Sequence, residues 1–221
     1  MELLEAVKNR HSVRSYTDKK IEGEVHKQLQ QTIDECNRES GLSIQLCINE
    51  PNAFNSMMAH FGKFENVKNY IALVGTKNND FDEKCGYYGE KIVLKAQQLG
   101  LNTCWVAMTY NKGKCAAVAK KDEKLLMVIS VGYGVTSGVS HKSKPLNDLC
   151  KAEGAMPDWF KKGMEAVQLA PTATNQQKFL LELTGTVVKA KALTGFYNKV
   201  DLGIVKYHFE IGAGNGDWKW G

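Results

Sequence analysis

Arg10, Ser12 and Arg14 stand at alternate positions in the segment Arg10-His11-Ser12-Val13-Arg14-Ser15-Tyr16. In an extended backbone alternate positions share one face, so two guanidinium forks and a hydroxyl converge on one ligand. A guanidinium pairs bidentately with a phosphate or with adjacent carbonyl and ring-nitrogen acceptors. The ligand expected is therefore anionic and rich in acceptors. Far along the chain, Ala170-Pro171-Thr172-Ala173-Thr174-Asn175-Gln176-Gln177 is a polar loop of small hydroxyls and amides, suited to reading the edge of a heteroaromatic ring. Taken singly, the first segment also fits a surface salt-bridge cluster, and the second fits ordinary loop punctuation. Their joint occurrence carries the argument.

Regular elements must position both segments. Residues 1–9 read as a short helix, and residues 22–38 as a longer one with Val25, Leu29, Thr32, Ile33 and Cys36 on one stripe and Gly41 as its stop. Residues 42–49 alternate like a strand, residues 51–64 make a loop or short helix, and residues 70–75 (YIALVG) fit a strand buried on both faces. The strongest helical signal covers residues 81–100, where Tyr88, Ile92, Val93, Ala96 and Leu99 recur with helical period before Gly100. Residues 101–108 (LNTCWVAM) predict a strand, 113–119 a short helix, 125–133 a second buried strand, and 135–155 an exposed connection. The helix–loop–strand order then returns in residues 158–169, the polar loop and residues 178–183, and residues 200–213 follow as a helix-like stretch. Topology is duplicated imperfectly; residue identities are not.

Composition narrows the function classes. With 221 residues, 43% hydrophobic and 24% charged, the chain has ordinary globular content and enough length for a sizeable core. A net charge of +5 spread over scattered lysine pairs favours a solvated surface over a nucleic-acid footprint, while still attracting phosphorylated cofactors. Neither the 6 cysteines nor the 5 histidines show metal-ligand spacing. No run approaches the roughly 20 apolar residues of a membrane span, and the opening MELLEAVKNR has no apolar signal core. The expectation is a cytoplasmic protein with reduced thiols, no metal, and neither nucleic acid nor membrane as partner.

Four segments in order, residues 10–16, 99–105, Gly132-Tyr133-Gly134 and 170–177, resemble those of the FMN-dependent nitroreductase family. In most of that family the Pro-Ser/Thr-x-x-Asn loop follows the first long helix, and two subunits share each flavin. Here the corresponding place reads Cys36-Asn37-Arg38-Glu39-Ser40-Gly41-Leu42, without the loop, which reappears at Pro171. The chain thus resembles a divergent branch in which one chain imitates the dimer.

That resemblance, together with the buried strands, implies an α+β fold: a nitroreductase-like mixed, largely antiparallel sheet flanked by helices, with a buried central helix. It implies one domain over residues 1–221, with pseudo-duplicated halves of about 1–150 and 151–221, and a monomeric pseudo-dimer in preference to an obligate homodimer. Arg10, Ser12 and Arg14 would take the phosphate and pyrimidine edge of FMN, with His11 contributing backbone. Val106, Ala107 and Met108 would run beside the ring, Pro171, Thr172 and Asn175 would close its other side, and Lys206 is the candidate for the phosphate near the C-terminus. The flavin carries the chemistry, so no catalytic side chain is implied. Electrons would pass from NADH or NADPH to a nitroaromatic, quinone or similar small-molecule acceptor by a ping-pong mechanism. A flavin-binding protein without turnover and a basic interaction domain without cofactor are the alternatives.

Overall fold

The computed structural model describes the whole chain, Met1–Gly221, and divides it into two compact units. An arginine-bearing unit comprises residues 9–81 and 91–140, and a loop-bearing unit comprises residues 1–8, 82–90 and 141–221. In chain order the helices are α1 (Leu3–Asn9), α2 (Gly23–Ser40), α3 (Met57–Phe61), α4 (Phe81–Gln98), α5 (Asp158–Val167) and α6 (Asn198–Ala213). The strands are β1 (Gln45–Cys47), β2 (Tyr70–Thr76), β3 (Asn102–Val106), β4 (Glu123–Gly132), β5 (Cys150–Ala152), β6 (Phe179–Thr184), β7 (Val187–Ala192) and β8 (Lys219–Trp220). This is the expected α+β class, with each unit built on its own four-stranded sheet. No helix is long and apolar enough to cross a membrane.

In the arginine-bearing unit, α2 buries Leu29, Ile33 and Cys36 along its predicted stripe. It ends where Gly41 adopts φ 73° and returns its N–H to the Asn37 carbonyl, a left-handed conformation that glycine adopts without steric cost. The sheet runs β1-β2-β4-β3 and is antiparallel throughout. β2 is buried from Tyr70 to Gly75, so both of its faces are covered and its apolar run needs no alternation. No residue of α4 is exposed, as expected for the central helix. Its first half belongs to the loop-bearing unit and its second to the arginine-bearing unit.

In the loop-bearing unit the sheet order is β5-β6-β7-β8, with parallel pairs at both ends and an antiparallel hairpin in the middle. Helix α6 is the hub. A Cβ on Gly203 would lie 2.0 Å from the Glu83 carbonyl oxygen, and one on Gly86 would lie 2.0 Å from that of Val200, so α4 and α6 meet backbone to backbone. On its other side α6 meets α5, where a Cβ on Gly163 would fall 2.5 Å from the Phe209 ring and one on Gly212 2.4 Å from the Lys162 carbonyl oxygen. His208, fully buried on α6, links the three helices. Its Nδ1–H donates to the Ala166 carbonyl at 3.0 Å, and its Nε2 faces Glu90 Oε1 at 2.9 Å. At the end of this packing Trp159, Phe160, Phe209, Trp218 and Trp220 interlock mostly edge to face.

Three stretches depart from the sequence reading. Residues 113–119 form no helix beyond the 3-10 turn Lys112–Lys114; Cys115 is extended, and the backbone of the following residues bonds to the Gln45 and Tyr70 side chains instead. Residues 135–155 are not wholly an exposed connection, because Leu149 and Cys150 are buried and β5 joins the second sheet. Strands β7 and β8 were not expected, although VVKAKA alternates openly after the turn at Gly185, where φ is 59°.

The α4–α6 crossing leaves no room for a methyl group. Gly203→Ala is expected to cost about 1–3 kcal/mol by overpacking, read as a lower urea midpoint in circular dichroism. An unchanged midpoint would show that the two helices can separate freely.

Candidate functional site

The arginine segment belongs to no long strand, yet its backbone is fastened residue by residue. The Val13 N–H donates to the Thr103 carbonyl on β3 at 3.0 Å, and Ser12 bridges Thr103 in parallel sense. The Glu65 N–H donates to the Arg14 carbonyl at 3.0 Å, the Tyr16 N–H to the Glu65 carbonyl at 3.2 Å, and the Thr17 N–H to the Tyr133 carbonyl at 2.8 Å. Tyr16, buried, adds a side-chain lock: its hydroxyl donates to the Val13 carbonyl at 2.7 Å and lies 2.8 Å from Ser130 Oγ on β4. Burial pushes the phenol well above its usual range, so it stays neutral and hydrogen-bonded. The Gly132-Tyr133-Gly134 turn lies against the same segment. A Cβ on Gly132 would sit 2.8 Å from the Tyr16 ring, and one on Gly134 2.9 Å from a Val13 methyl. His11 is half-buried, and its Cβ lies 2.8 Å from where a Gly138 Cβ would be.

Within this unit the segment runs beside β3, next to Cys104, through the Ser12–Thr103 bridge. The Ser12 hydroxyl hydrogen-bonds the thiol, and both guanidiniums act on it electrostatically. Burial nonetheless dominates and raises the Cys104 pKa, which leaves it a thiol. Arg10 is only 3% exposed, whereas Arg14 is exposed and has its guanidinium carbon 5.9 Å from the centre of the Phe64 ring. Val106 is buried, Ala107 half-buried and Met108 exposed, just past the last ladder pair of β3, Val106 with Val128. The Arg10 guanidinium is thus enclosed and that of Arg14 lies at the surface. A cleft of about 270 Å³ in the same unit involves Tyr16, Lys19, Lys68 and Gly132, and neither arginine lines it.

The loop-bearing unit holds Pro171, Thr172, Asn175 and Lys206, and it uses them differently from the sequence reading. Asn175 donates from Nδ2 to the Lys142 carbonyl at 2.8 Å and accepts on Oδ1 from Gln177 Nε2 at 3.0 Å. The Thr172 hydroxyl accepts the Gln177 N–H at 3.0 Å. Pro171 is buried. The polar groups expected to read a ring edge therefore shape the loop, which carries left-handed backbone at Thr174, Asn175 and Gln177. Lys206 is ion-paired with Glu83 and lies 5.6 Å from the Trp220 ring centre, so its charge is already compensated within the unit.

Sequence reasoning missed Asp201, which holds this loop in place. One carboxylate oxygen accepts the Ala173 N–H at 2.9 Å and the other accepts from Gln176 Nε2 at 2.8 Å. Asp201 is 2% exposed, and that burial raises its pKa to about 6 against the opposing pull of the two hydrogen bonds. Its only signal in the sequence is a lone acid in an apolar helical stretch.

The chain matches the family model described as "Putative TM nitroreductase" over residues 2–213. Among solved structures it resembles one described as "a putative nitroreductase" from Thermotoga maritima MSB8, at 24% identity and a TM-score of 0.66, covering 96% of this chain and 83% of that one. A second, from Desulfovibrio desulfuricans and described as "a putative nitroreductase in complex with FMN", gives 18% identity, a TM-score of 0.54, and coverage of 71% and 99%. A nitroreductase family protein from Streptococcus pneumoniae gives 15% identity, a TM-score of 0.52, and coverage of 66% and 98%. No curated protein matches.

Asp201 gives the loop-bearing unit a signature in pH. Its folded pKa of about 6 lies above the ordinary 3.8, so between those values the folded state binds more protons than the unfolded state. Stability should be highest below pH 4 and should fall by about 3 kcal/mol towards pH 6 from this group alone. Asp201→Asn is expected to flatten that slope, measured by urea unfolding across the range. A slope identical in the variant would assign the effect elsewhere.

Proposed function

This chain belongs to the nitroreductase family described as "Putative TM nitroreductase", and from that premise we propose that it is an FMN-dependent oxidoreductase that takes electrons from NADH or NADPH. The observation that carries this reading is the segment bearing Arg10, Ser12 and Arg14, held beside β3 by the Val13–Thr103 bond and the Ser12–Thr103 bridge. Two guanidinium forks and a hydroxyl within five residues suit the donor set a flavin requires, since FMN offers a phosphate at one end and a pyrimidine acceptor edge at the other. FMN supplies reversible two-electron uptake when bound. Arg10 and Arg14 would hold its anionic groups, and Ser12 and the backbone of His11 would add hydrogen bonds. A guanidinium held beside the pyrimidine edge also favours the more negative, reduced form.

Val106, Ala107 and Met108 are proposed to run along the ring. The pairing with Glu83 makes Lys206 the weakest member of the set. One flavin per chain follows from the pseudo-dimer reading, and native mass spectrometry distinguishes it from a shared site.

The acceptor class is proposed from the exposed apolar side chains of the arginine-bearing unit. Met57 is 76% exposed, Phe61 75% and Met108 66%. Thr109, next to Met108, touches the turn at Gly62 that closes α3, and Phe64 two residues on lies under Arg14. Soft thioether and aromatic surface beside the cationic cluster suits a planar aromatic acceptor, a nitroaromatic or a quinone.

Replacing both Arg10 and Arg14 by alanine removes charge-assisted bonds worth about 1.5–3 kcal/mol each. FMN affinity is expected to fall by at least about 100-fold, followed by quenching of flavin fluorescence on a variant with native circular dichroism. Unchanged affinity would remove the arginine cluster from the flavin site. In the wild type, anaerobic NAD(P)H should bleach the bound flavin and a quinone should restore its colour. Phe61→Ser should lower kcat/KM for an apolar quinone by about 5-fold through lost apolar burial while leaving FMN affinity alone. An equal loss for a small charged acceptor would remove Phe61 from the acceptor site.

A further inference from the structure

A second chemically competent group in the arginine-bearing unit plays no part in the reaction proposed above. Cys47 ends β1 and stands directly opposite Tyr70, the first residue of β2, across an antiparallel pair. Directly opposed residues project from the same face of a sheet. The Tyr70 side chain is fully buried, and its hydroxyl accepts the N–H of Ala116 at 2.7 Å. That bond places Cys115, the preceding residue, at the hydroxyl end of the ring, and Cys115 packs against the apolar cluster that contains Cys47 and Tyr70.

Two more bonds fix this arrangement. The Val118 N–H donates to Gln45 Oε1 at 2.9 Å, and Gln45 Nε2 donates to the Val118 carbonyl at 2.7 Å. Residues 115–118 therefore run back along the edge strand β1, with Val118 beside Gln45 and Cys115 near the level of Cys47. Both thiols share the Tyr70 hydroxyl as a hydrogen-bond partner and act on one another electrostatically. All 6 cysteines are reduced, and Cys115 alone among them is not buried.

We propose that Cys47 and Cys115 are a redox-modifiable dithiol, which a peroxide closes into a disulfide joining the 107–122 connection to β1. The half-exposed Cys115 reacts first. Its thiol attacks the O–O bond to give a sulfenic acid, and one molecule of water leaves. The Cys47 thiol then attacks the Cys115 sulfur, the S–S bond forms, the S–OH bond breaks, and hydroxide departs with the Cys47 proton as a second water. Two electrons pass from the sulfurs to the peroxide. The order follows from the surroundings: burial pushes the Cys47 thiol up to about 11, which makes it a poor first nucleophile but leaves it placed to resolve its neighbour. A disulfide requires Cα atoms within roughly 4.4–6.8 Å, and the bonds to Tyr70 and Gln45 hold Cys115 beside the end of β1 that carries Cys47. This pair acts independently of the flavin reading.

The test is chemical mapping of the full chain. Protein treated with hydrogen peroxide, alkylated and digested with trypsin without reduction should yield peptide Glu39–Lys63 joined to peptide Cys115–Lys120. The free-thiol count should fall from six to four, and the intact mass should drop by about 2 Da. Cys115→Ser should abolish the link, and Cys36→Ser should leave it intact. The proposal is overturned if Cys47 remains alkylatable after Cys115 has been oxidised to a sulfinic or sulfonic acid. It is equally overturned if Cys115 pairs with any other cysteine, or if all six thiols survive peroxide that oxidises free cysteine in the same tube.

Discussion

Helix α6 packs between α4 and α5 at backbone distance, and four glycines allow it: Gly86 and Gly203 on one side, Gly163 and Gly212 on the other. The close approach has a cost, because glycine loses more conformational freedom on folding than other residues. It is offset by dense apolar burial, with Val200, Ile204, Val205 and Phe209 all inside. His208 then has a fixed place between Glu90 and the Ala166 carbonyl. A carbonyl only accepts, so Nδ1–H is the donor in that bond. Asp201, between the crossing residues Val200 and Gly203, meets the polar loop through Ala173 and Gln176.

Much of this architecture was legible in the sequence where a periodic signal met a stop residue. The stripe of α2 and its Gly41 terminus, the wholly apolar β2, and α4 ending beside Gly100 lie within a few residues of their expected places. What failed was decided by tertiary partners. Residues 113–119 have the small apolar residues of a helix, but the Gln45 amide and the Tyr70 hydroxyl take their backbone groups first. β5 is only three residues long and depends on β6 for its hydrogen bonds, so no local pattern marks it.

The candidate site was legible in the same uneven way. Alternation in residues 10–14 marks three polar side chains as a set, and the segment carrying them is fastened beside β3, while Arg10 is buried and Arg14 exposed. The loop at residues 171–177 has the right composition for ligand contact, yet composition does not reveal that its amides will satisfy one another and the carbonyl of Lys142. Asp201 escaped notice because a single acid in a helix is common, and only burial makes it distinctive.

The fastening of the arginine segment has a thermodynamic consequence. Backbone bonds to Thr103, Glu65 and Tyr133, together with the Tyr16 lock onto Val13 and Ser130, fix its course before any ligand arrives. Ordering a mobile segment of this length on binding would cost on the order of 1–2 kcal/mol per residue. Here that entropy is lost when the chain folds, so the segment is preorganised. Arg10 is enclosed along with the backbone, and only the outer, exposed Arg14 keeps side-chain freedom. A segment fixed in this way keeps its course whether or not anything is bound to it.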